Sequence, residues 1–174
     1  MKMYLLGLMV AVCIGGASSH WANQWDKPFR FSCPKGGVIR SLFSIHNNHR
    51  EDRRWIINCG LNLRLSRGKW TRFVNRYDKS FRFRCPARNG IITGFGGVHN
   101  NHKEDRRFRF KCARFINKVP YNCRWTGFLN KFDKVLNFHV RRNRFIRGMR
   151  SVHNNHFEDR RFSLLVCSYR HFKG

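Results

Sequence analysis

Acidic residues are scarce in this sequence: nine Asp and Glu stand against 36 Lys and Arg, which gives a formal net charge of +27. A chain with this balance attracts polyanions through its long-range field. Long apolar runs are lacking after residue 16, so no transmembrane span is predicted. There is no Asn-x-Ser/Thr acceptor and no sustained helical period, so N-glycosylation is excluded and helix should be scarce. A hydrophobic content of 41% with 17 Phe nevertheless indicates a packed core.

The first nineteen residues are typical of a secretory signal peptide. Lys2 precedes an apolar stretch over residues 3–16, and the small residues 17–19 offer a cleavage site. Cleavage would remove Cys13 and leave six cysteines, and an even number in a small secreted chain indicates disulfides. The sequence therefore predicts a secreted, extracellular protein with a signal peptide over residues 1–19 and a single domain over residues 20–174.

The few acids recur at regular steps along the chain. Asp26, Asp78 and Asp133 each precede a lysine in an Asn-x-aromatic-Asp-Lys string, at steps of 52 and 55 residues. The other six form Glu-Asp pairs at residues 51–52, 104–105 and 158–159, each followed by Arg-Arg and then Trp or Phe. Every acid therefore belongs to a threefold internal repeat of about 53 residues, with copies over about 20–66, 70–121 and 122–174.

Alternating side chains predict strands in every copy. Phe29, Phe31 and Cys33 alternate with the polar residues 30 and 32, and residues 81–85 and 136–140 follow the same arrangement. A period of two with aromatic enrichment is typical of a half-buried strand. Three copies of about four strands predict an all-β, pseudo-threefold domain of about 12 strands. We expect a β-prism in which each repeat forms its own sheet, closed by its own disulfide, and the alternative is a β-trefoil.

The repeat also favours one of the fifteen ways to pair six cysteines. It pairs Cys33 with Cys59, Cys85 with Cys112 and Cys123 with Cys167. The third copy departs from the other two, because Cys167 lies one residue later than its counterparts. This shift turns its side chain to the other face of the strand unless a β-bulge intervenes.

Three strings recur together over nearly the whole chain after residue 19. They are Trp/Phe-x-Asn-x-aromatic-Asp, Cys-Pro at 33–34 and 85–86, and Glu-Asp-Arg-Arg-Trp/Phe. This combination resembles the dermatopontin family and looks most like its invertebrate haemagglutinin/amebocyte aggregation factor branch. Vertebrate dermatopontins are acidic and tyrosine-rich, so this basic chain with four Tyr departs from them.

The resemblance implies a binding protein without enzymatic activity or a cofactor. It favours a secreted, lectin-like agglutinin or cell-aggregation factor of innate defence. The alternative is an extracellular-matrix organising protein that binds proteoglycan or collagen. The threefold recurrence of the histidines also argues against a single catalytic centre.

Outward strand positions and a neighbouring cluster carry mostly arginine, whose planar guanidinium suits bidentate contact with sulfate, carboxylate or phosphate. The predicted polyanion-binding residues are Arg30, Arg82, Arg84, Arg107, Arg109, Lys111, Arg141, Arg142 and Arg144. The predicted partners are anionic glycans such as heparin-like glycosaminoglycans, on cell or bacterial surfaces. Nucleic acid should bind only non-specifically.

The string His-Asn-Asn-His precedes each Glu-Asp pair, and adjacent asparagines favour a loop. The candidate ligand loops are His46, Asn47, Asn48, His49, His99, Asn100, Asn101, His102, His153, Asn154, Asn155 and His156. Two histidines at this spacing with Asp52 could also hold Zn²⁺, and a plain turn is a third interpretation. Without a helical or cysteine framework the spacing is a weak zinc signal, so no metal ligand is assigned.

The first arginine of each Arg-Arg pair is predicted to point inward beside an aromatic residue. A buried guanidinium needs a carboxylate, which the repeated acids can supply. The predicted structural salt bridges involve Asp26, Glu51, Asp52, Arg53, Asp78, Glu104, Asp105, Arg106, Asp133, Glu158, Asp159 and Arg160. Substitution of Asp52 or Asp105 by alanine should therefore mainly lower secretion and the melting temperature.

Overall fold

The computed structural model describes residues 20–172, so the predicted signal peptide over residues 1–19 lies outside the described residues. Within this range all regular structure is β, which confirms the predicted fold class. Eleven strands form instead of about 12: β1 Phe29–Ser32, β2 Val38–Asn47, β3 Asp52–Gly60, β4 Lys69–Trp70, β5 Phe81–Arg84, β6 Gly90–Asn100, β7 Asp105–Arg114, β8 Lys118–Trp125, β9 Leu136–His139, β10 Arg144–Asn154 and β11 Asp159–His171. Residues 20–172 contain no helix with the length and apolarity to cross a bilayer.

The strands form three antiparallel sheets around a pseudo-threefold axis. The first sheet has the order β1-β6-β7-β4, the second β5-β10-β11-β8, and the third β3-β2-β9. The long hairpins β2–β3, β6–β7 and β10–β11 belong to successive repeats. Both strands of the second and third hairpins are central in their sheets, whereas in the three-stranded sheet β2 is central and β3 forms an edge. This arrangement agrees with a β-prism-like or trefoil-like domain.

The expectation that each repeat forms its own sheet is wrong. The short strand of each repeat pairs with the hairpin of the next one: β1 with β6, β5 with β10, and β9 with β2. Strand alternation in the sequence determines which face of a strand is buried, whereas packing across the axis selects its neighbour. The three repeats are therefore interlocked in a closed cycle.

The three disulfides have the pairing that the repeat predicts. Cys33 bonds Cys59, and Cys85 bonds Cys112, each at a Cα–Cα distance of 5.7 Å, and each bond links two neighbouring sheets. The third bond, from Cys123 to Cys167, joins β8 and β11 within one sheet. The pairing of these two strands is irregular between Val166 and Ser168, which supplies the bulge that Cys167 requires.

Aromatic side chains fill the core where the three sheets meet. Trp55, Phe108 and Phe162 occupy equivalent positions in the three repeats and are fully buried. Trp55 and Phe108 each meet Phe162 edge to face, with ring centroids 5.1 and 5.7 Å apart. Phe95 contacts Trp55 at 4.9 Å and stacks on Phe108 at 5.4 Å. Interlocking rings of this size dominate core energetics, so this trio holds the sheets together.

A buried asparagine ties each loop to its neighbouring strand. In the second repeat the amide nitrogen of Asn75 donates to the carbonyl oxygen of Arg106 at 2.9 Å, and its oxygen accepts from the N–H of Phe108 at 2.8 Å. Asn23 and Asn130 make the equivalent pairs of bonds. The asparagine of the Asn-x-aromatic-Asp string thus takes the place of a backbone partner for the edge of the hairpin strand.

Candidate functional site

All nine acids of the chain gather at one end of the pseudo-threefold axis, beneath the His-Asn-Asn-His turns. The innermost layer is a small cavity lined by Phe108 and by equivalent side chains of the three repeats: His46, Glu51, Asp52, Arg53, His99, Glu104, Asp105, Arg106, Glu158, Asp159 and Arg160. We call the charged side chains around this cavity the axial charge cluster. Asp26, Asp78 and Asp133 lie directly against it. The surface faces of the sheets are left without carboxylates.

Three buried ion pairs form the centre of the axial charge cluster, and each joins two repeats. Arg53 binds Asp159 through two hydrogen bonds of 2.6 and 2.7 Å. The pairs Arg106–Asp52 and Arg160–Asp105 have the same bidentate geometry. The first arginine of each Arg-Arg pair thus points inward as predicted, and its partner is the aspartate of the preceding repeat. Each guanidinium also donates to a backbone carbonyl oxygen at 3.0 Å through the same terminal nitrogen that binds the aspartate, while its other terminal nitrogen is buried and makes no hydrogen bond within the described residues.

The acids of the Asp-Lys strings do not neutralise the inward arginines directly. Asp26, Asp78 and Asp133 have φ angles of 58–60°, and the N–H of each donates to the buried aspartate of its own repeat at 2.8 Å. These residues therefore fix the turn that carries the lysine. Glu51, Glu104 and Glu158 also adopt positive φ, with values of 42, 44 and 39°. Six of the nine acids thus hold left-handed turns, a role that the sequence did not indicate.

The histidine loops divide into a buried half and an exposed half. The side chains of His46, His99 and His153 are only 1% exposed and face the acids, so they are removed from the predicted ligand contacts. The first asparagine is also committed, since the side-chain oxygen of Asn47 accepts from the N–H groups of His49 and Arg50 at 2.9 Å. Asn100 and Asn154 form the same turn. The residues of these loops left exposed to solvent are Asn48, His49, Asn101, His102, Asn155 and His156.

The zinc set considered from the sequence is not assembled. Asp52 faces His99 of another repeat at 3.3 Å, while His49 is exposed. Among the described residues two other groups come close enough to share a cation: His46 with Asp133 and Asp159, and His153 with Asp78 and Asp105. In each group the buried aspartate already binds a guanidinium through both oxygens. A cation would have to compete with that ion pair.

Neighbouring acids of the axial charge cluster have pKa values that are shifted in opposite directions. Burial alone would raise the pKa of Asp52, but the hydrogen bonds from His99 and Arg106 outweigh it and hold the pKa at about 2. Burial, reinforced by Glu104, Asp133 and Glu158, raises the pKa of Glu51 to about 7. Burial also raises the pKa of Glu158. Asp52 is therefore a fixed anion, whereas Glu51 takes up a proton near neutral pH.

Arginines of the outer faces stack on aromatic rings. The second arginine of each Arg-Arg pair lies over the first aromatic residue of the Trp/Phe-x-Asn string, at distances of 4.3, 4.7 and 4.4 Å from guanidinium carbon to ring centroid. The three pairs are Arg54–Trp21, Arg107–Phe73 and Arg161–Phe128. Of these three arginines, only Arg107 is among the polyanion-binding residues predicted from the sequence. The threefold recurrence of both strings is the signal that could have revealed this contact.

The other predicted polyanion-binding residues have different surroundings. Arg30, Arg82, Arg84, Arg141 and Arg142 are exposed, as predicted. Arg109 and Lys111 are half-buried along β7, where the ammonium of Lys111 donates to the Ser32 hydroxyl at 2.8 Å. Arg144 donates to the carbonyl oxygen of Asn122 at 2.9 Å and to the Ser168 hydroxyl at 3.0 Å, so it braces two strands. Among residues 20–172 only Arg50 forms an exposed arginine–acid pair, with Asp26 at 3.3 Å.

Comparison with known proteins gives one family. A family model described as Dermatopontin matches residues 23–171. The chain is 39% identical to Millepora cytotoxin-1 of Millepora dichotoma over 83% of its length, but it spans only 65% of that relative. It is 38% identical to the hemagglutinin/amebocyte aggregation factor of Limulus polyphemus, over 86% of this chain and 88% of the relative. It is 30% identical to dermatopontin of Biomphalaria glabrata, over 84% and 99%. No solved structure matches it.

Proposed function

The chain belongs to the dermatopontin family, and we propose that it is a secreted, lectin-like agglutinin of innate defence. It binds anionic glycans on cell or microbial surfaces and cross-links the particles that carry them. Its role is binding rather than catalysis, since its charged groups recur threefold instead of forming one asymmetric centre. Secretion accords with three disulfides and with the N-terminal signal sequence.

The separation of charge carries this proposal. All nine acids lie in or against the axial charge cluster, where three of them join neighbouring repeats through ion pairs. The outer-face arginines therefore have no carboxylate partner among the described residues, and the exposed Arg30, Arg82 and Arg84 keep their N–H groups available for an external anion. Stacking on an aromatic ring orients the planar guanidinium and leaves its edge free, which reduces the entropy lost when an oxyanion binds. A glycan with repeated sulfate or carboxylate groups could engage many such arginines at once.

Agglutination of erythrocytes and of bacteria is the direct test. We expect agglutination that heparin inhibits, that EDTA and neutral monosaccharides leave unchanged, and that weakens as salt screens the charges. Haemoglobin release measured in the same samples separates agglutination from lysis. Failure to agglutinate any anionic cell, or full inhibition by a neutral sugar, would contradict the proposal.

A matrix role is the second candidate. The match to dermatopontin of Biomphalaria glabrata, which spans 99% of that relative, favours it. On this alternative the basic faces would tie proteoglycan chains to collagen. Turbidity of assembling collagen fibrils separates the two roles: faster fibril assembly without agglutination supports the matrix role, and unchanged assembly with agglutination supports the agglutinin.

A further inference from the structure

The first sheet carries a tryptophan laid flat between two arginines. Trp70 from the edge strand β4 reaches across the sheet to β6, where Gly94 and Gly96 leave room for it. An ideal Cβ on Gly94 would lie 3.3 Å from the indole, and one on Gly96 would lie 3.5 Å from it. The guanidinium carbon of Arg30 lies 4.6 Å from the ring centroid, and that of Arg109 lies 5.6 Å away. We call Arg30, Trp70 and Arg109 the first Arg–Trp face.

The second sheet carries a matching group. Trp125 from β8 occupies the position of Trp70, with Arg82 at 5.0 Å and Arg150 at 5.3 Å from its ring centroid. Arg150 reaches the ring from the central strand β10 rather than from the strand that supplies Arg109. A groove of about 440 Å³ runs beside the indole, and Arg84 and Arg147 add to its lining. Arg82, Trp125 and Arg150 form the second Arg–Trp face.

The third sheet has no such group among the described residues. The residues equivalent to the arginines of the two faces are Phe43, Ile56 and Asn137, all uncharged. By sequence register the position of the tryptophan falls on Ser18, which lies outside the described residues. The pseudo-threefold symmetry of the backbone is therefore reduced to two equivalent basic surfaces.

The guanidinium groups, rather than the indole rings, form the contact surface of each face. Two guanidinium groups lie within 5.6 Å of each indole centroid, so cationic N–H donors surround the aromatic surface of each face. The second arginine of the Arg-Arg pair has fewer free N–H groups, because the Nε of Arg54 and that of Arg161 donate to backbone carbonyl oxygens at 3.2 and 3.3 Å.

In the second and third repeats the Arg–Trp faces extend onto the rings that these arginines cover, since Arg109 lies 5.4 Å from the centroid of Phe73 and Arg150 lies 5.5 Å from that of Phe128. Within the faces, the Nε of Arg150 donates to the Ser163 hydroxyl at 3.0 Å. Arg30 and Arg82 are exposed and make no hydrogen bond within the described residues.

From this geometry we infer that each chain is bivalent, with one site for an acidic polysaccharide on each Arg–Trp face and none on the third sheet. The ligand chemistry is a pair of oxyanions, sulfate or carboxylate, spaced along a linear glycan. The inference rests on the proposed function and names its sites and their number. A single chain with two sites on different sheets can bridge two particles without a partner chain.

Titration calorimetry with a size-defined heparin tetrasaccharide counts the sites. Measurements at about 0.15 M salt screen weak contacts elsewhere on the basic surface. We expect two sites per chain, one in the variant R30Q/R109Q and one in R82Q/R150Q. The control R64Q/R88Q removes the same charge at two exposed positions outside both faces and keeps two sites. Three sites in the wild type, or equal losses in the control and face variants, would overturn the inference.

Agglutination by the same variants tests the consequence of two sites. Each single-face variant still binds the tetrasaccharide, but its agglutination titre should fall by at least about tenfold because bridging is lost. An unchanged titre refutes bridging by two faces of one chain. Circular dichroism melts confirm that each variant is folded. If the wild type neither binds heparin nor agglutinates, the proposed function fails; if it does both while the face variants match the control, only the assignment of the faces fails.

Two further experiments determine which anionic group the faces bind and how the arginines recognise it. Heparosan, which has carboxylates but no sulfate, shows whether sulfate is required, and equal site numbers with both glycans assign the faces to carboxylates. The variant R30K/R109K keeps the positive charges of the first face but lacks the planar guanidinium groups with their paired N–H donors. Each charge-assisted hydrogen bond lost should weaken the first face by about tenfold. Wild-type affinity in this variant would contradict recognition by stacked guanidinium groups.

Discussion

Replacing Asp105 with alanine is expected to lower the free energy of unfolding by about 3–5 kcal/mol, the usual cost of breaking one buried ion pair. Asp105 is buried and accepts two hydrogen bonds from Arg160 at 2.6 and 2.7 Å. It also accepts the N–H of Asp78 at 2.8 Å. The variant would leave the Arg160 guanidinium, itself 3% exposed, without a carboxylate between the second and third repeats.

The melting temperature converts this loss into a measurable shift. At roughly 2–4 °C per kcal/mol for a chain of this size, the variant should melt about 6–20 °C below the wild type. Glu104→Gln is the matched control, because this neighbouring acid is exposed and makes no hydrogen bond through its side chain within the described residues. Its melting temperature should stay the same or rise slightly. Asp52→Ala and Asp159→Ala should repeat the loss, since their ion pairs have the same geometry.

Heparin binding by the folded fraction completes the test. If the aspartates are structural, the site number and affinity of the folded variant match those of the wild type below its melting temperature. Variants that melt within about 2 °C of the wild type but lose agglutination would refute this reasoning and place the acids in the ligand site.

Three further predictions follow from other groups. Glu51→Gln should raise the free energy of unfolding at pH 8 by about 1 kcal/mol but leave it unchanged at pH 4. The pKa of Glu51 is about 7 in the folded protein against an ordinary 4.5, so the native state holds an extra proton between these values and loses stability as pH rises through them. The effect is reduced because 23% of the side chain is exposed to solvent. Thermal melts at both pH values check this, and an equal gain at both contradicts it. Asn75→Ala should cost about 2–3 kcal/mol in urea unfolding, since it leaves the buried backbone groups of Arg106 and Phe108 without partners; a loss below about 1 kcal/mol would mean that water replaces the amide. Mild reduction followed by alkylation should label Cys123 and Cys167 first. The reductant can reach their disulfide because Cys123 is exposed, whereas Cys33 and Cys85 in the other two disulfides are buried. Peptide mapping that shows all six cysteines labelled together would contradict this order.

The sequence predicted the strands and the inward arginines because both depend on local alternation. Phe29 and Phe31 repeat at a spacing of two, and Arg53 stands two residues before Trp55, so each pair shares a face. The same alternation contains no information on which hairpin accepts a four-residue strand. Packing across the axis decides that pairing, and the assumption of separate sheets therefore failed.

The functional surface was harder to predict than the fold. Trp70 and Trp125 stand three residues before the repeated Trp/Phe-x-Asn string, and the first repeat has no equivalent tryptophan among its described residues, so a search for threefold recurrence does not find them. His46 was placed in a ligand loop because its string reads as a turn. In the structure it still belongs to strand β2 and points into the axial charge cluster. Residues at the boundary between strand and turn take their exposure from the tertiary fold.

The cyclic exchange of short strands also limits how such a protein can grow. An open solenoid can add another copy at either end, because each repeat contacts only its neighbours. Here the last repeat supplies β9 to the first, and Asp159 of the last repeat holds Arg53 of the first. A fourth copy would have to break both connections before it could make new ones. The number of repeats is thus set by closure of the ring, and substitutions on its outer faces can change binding without opening that ring.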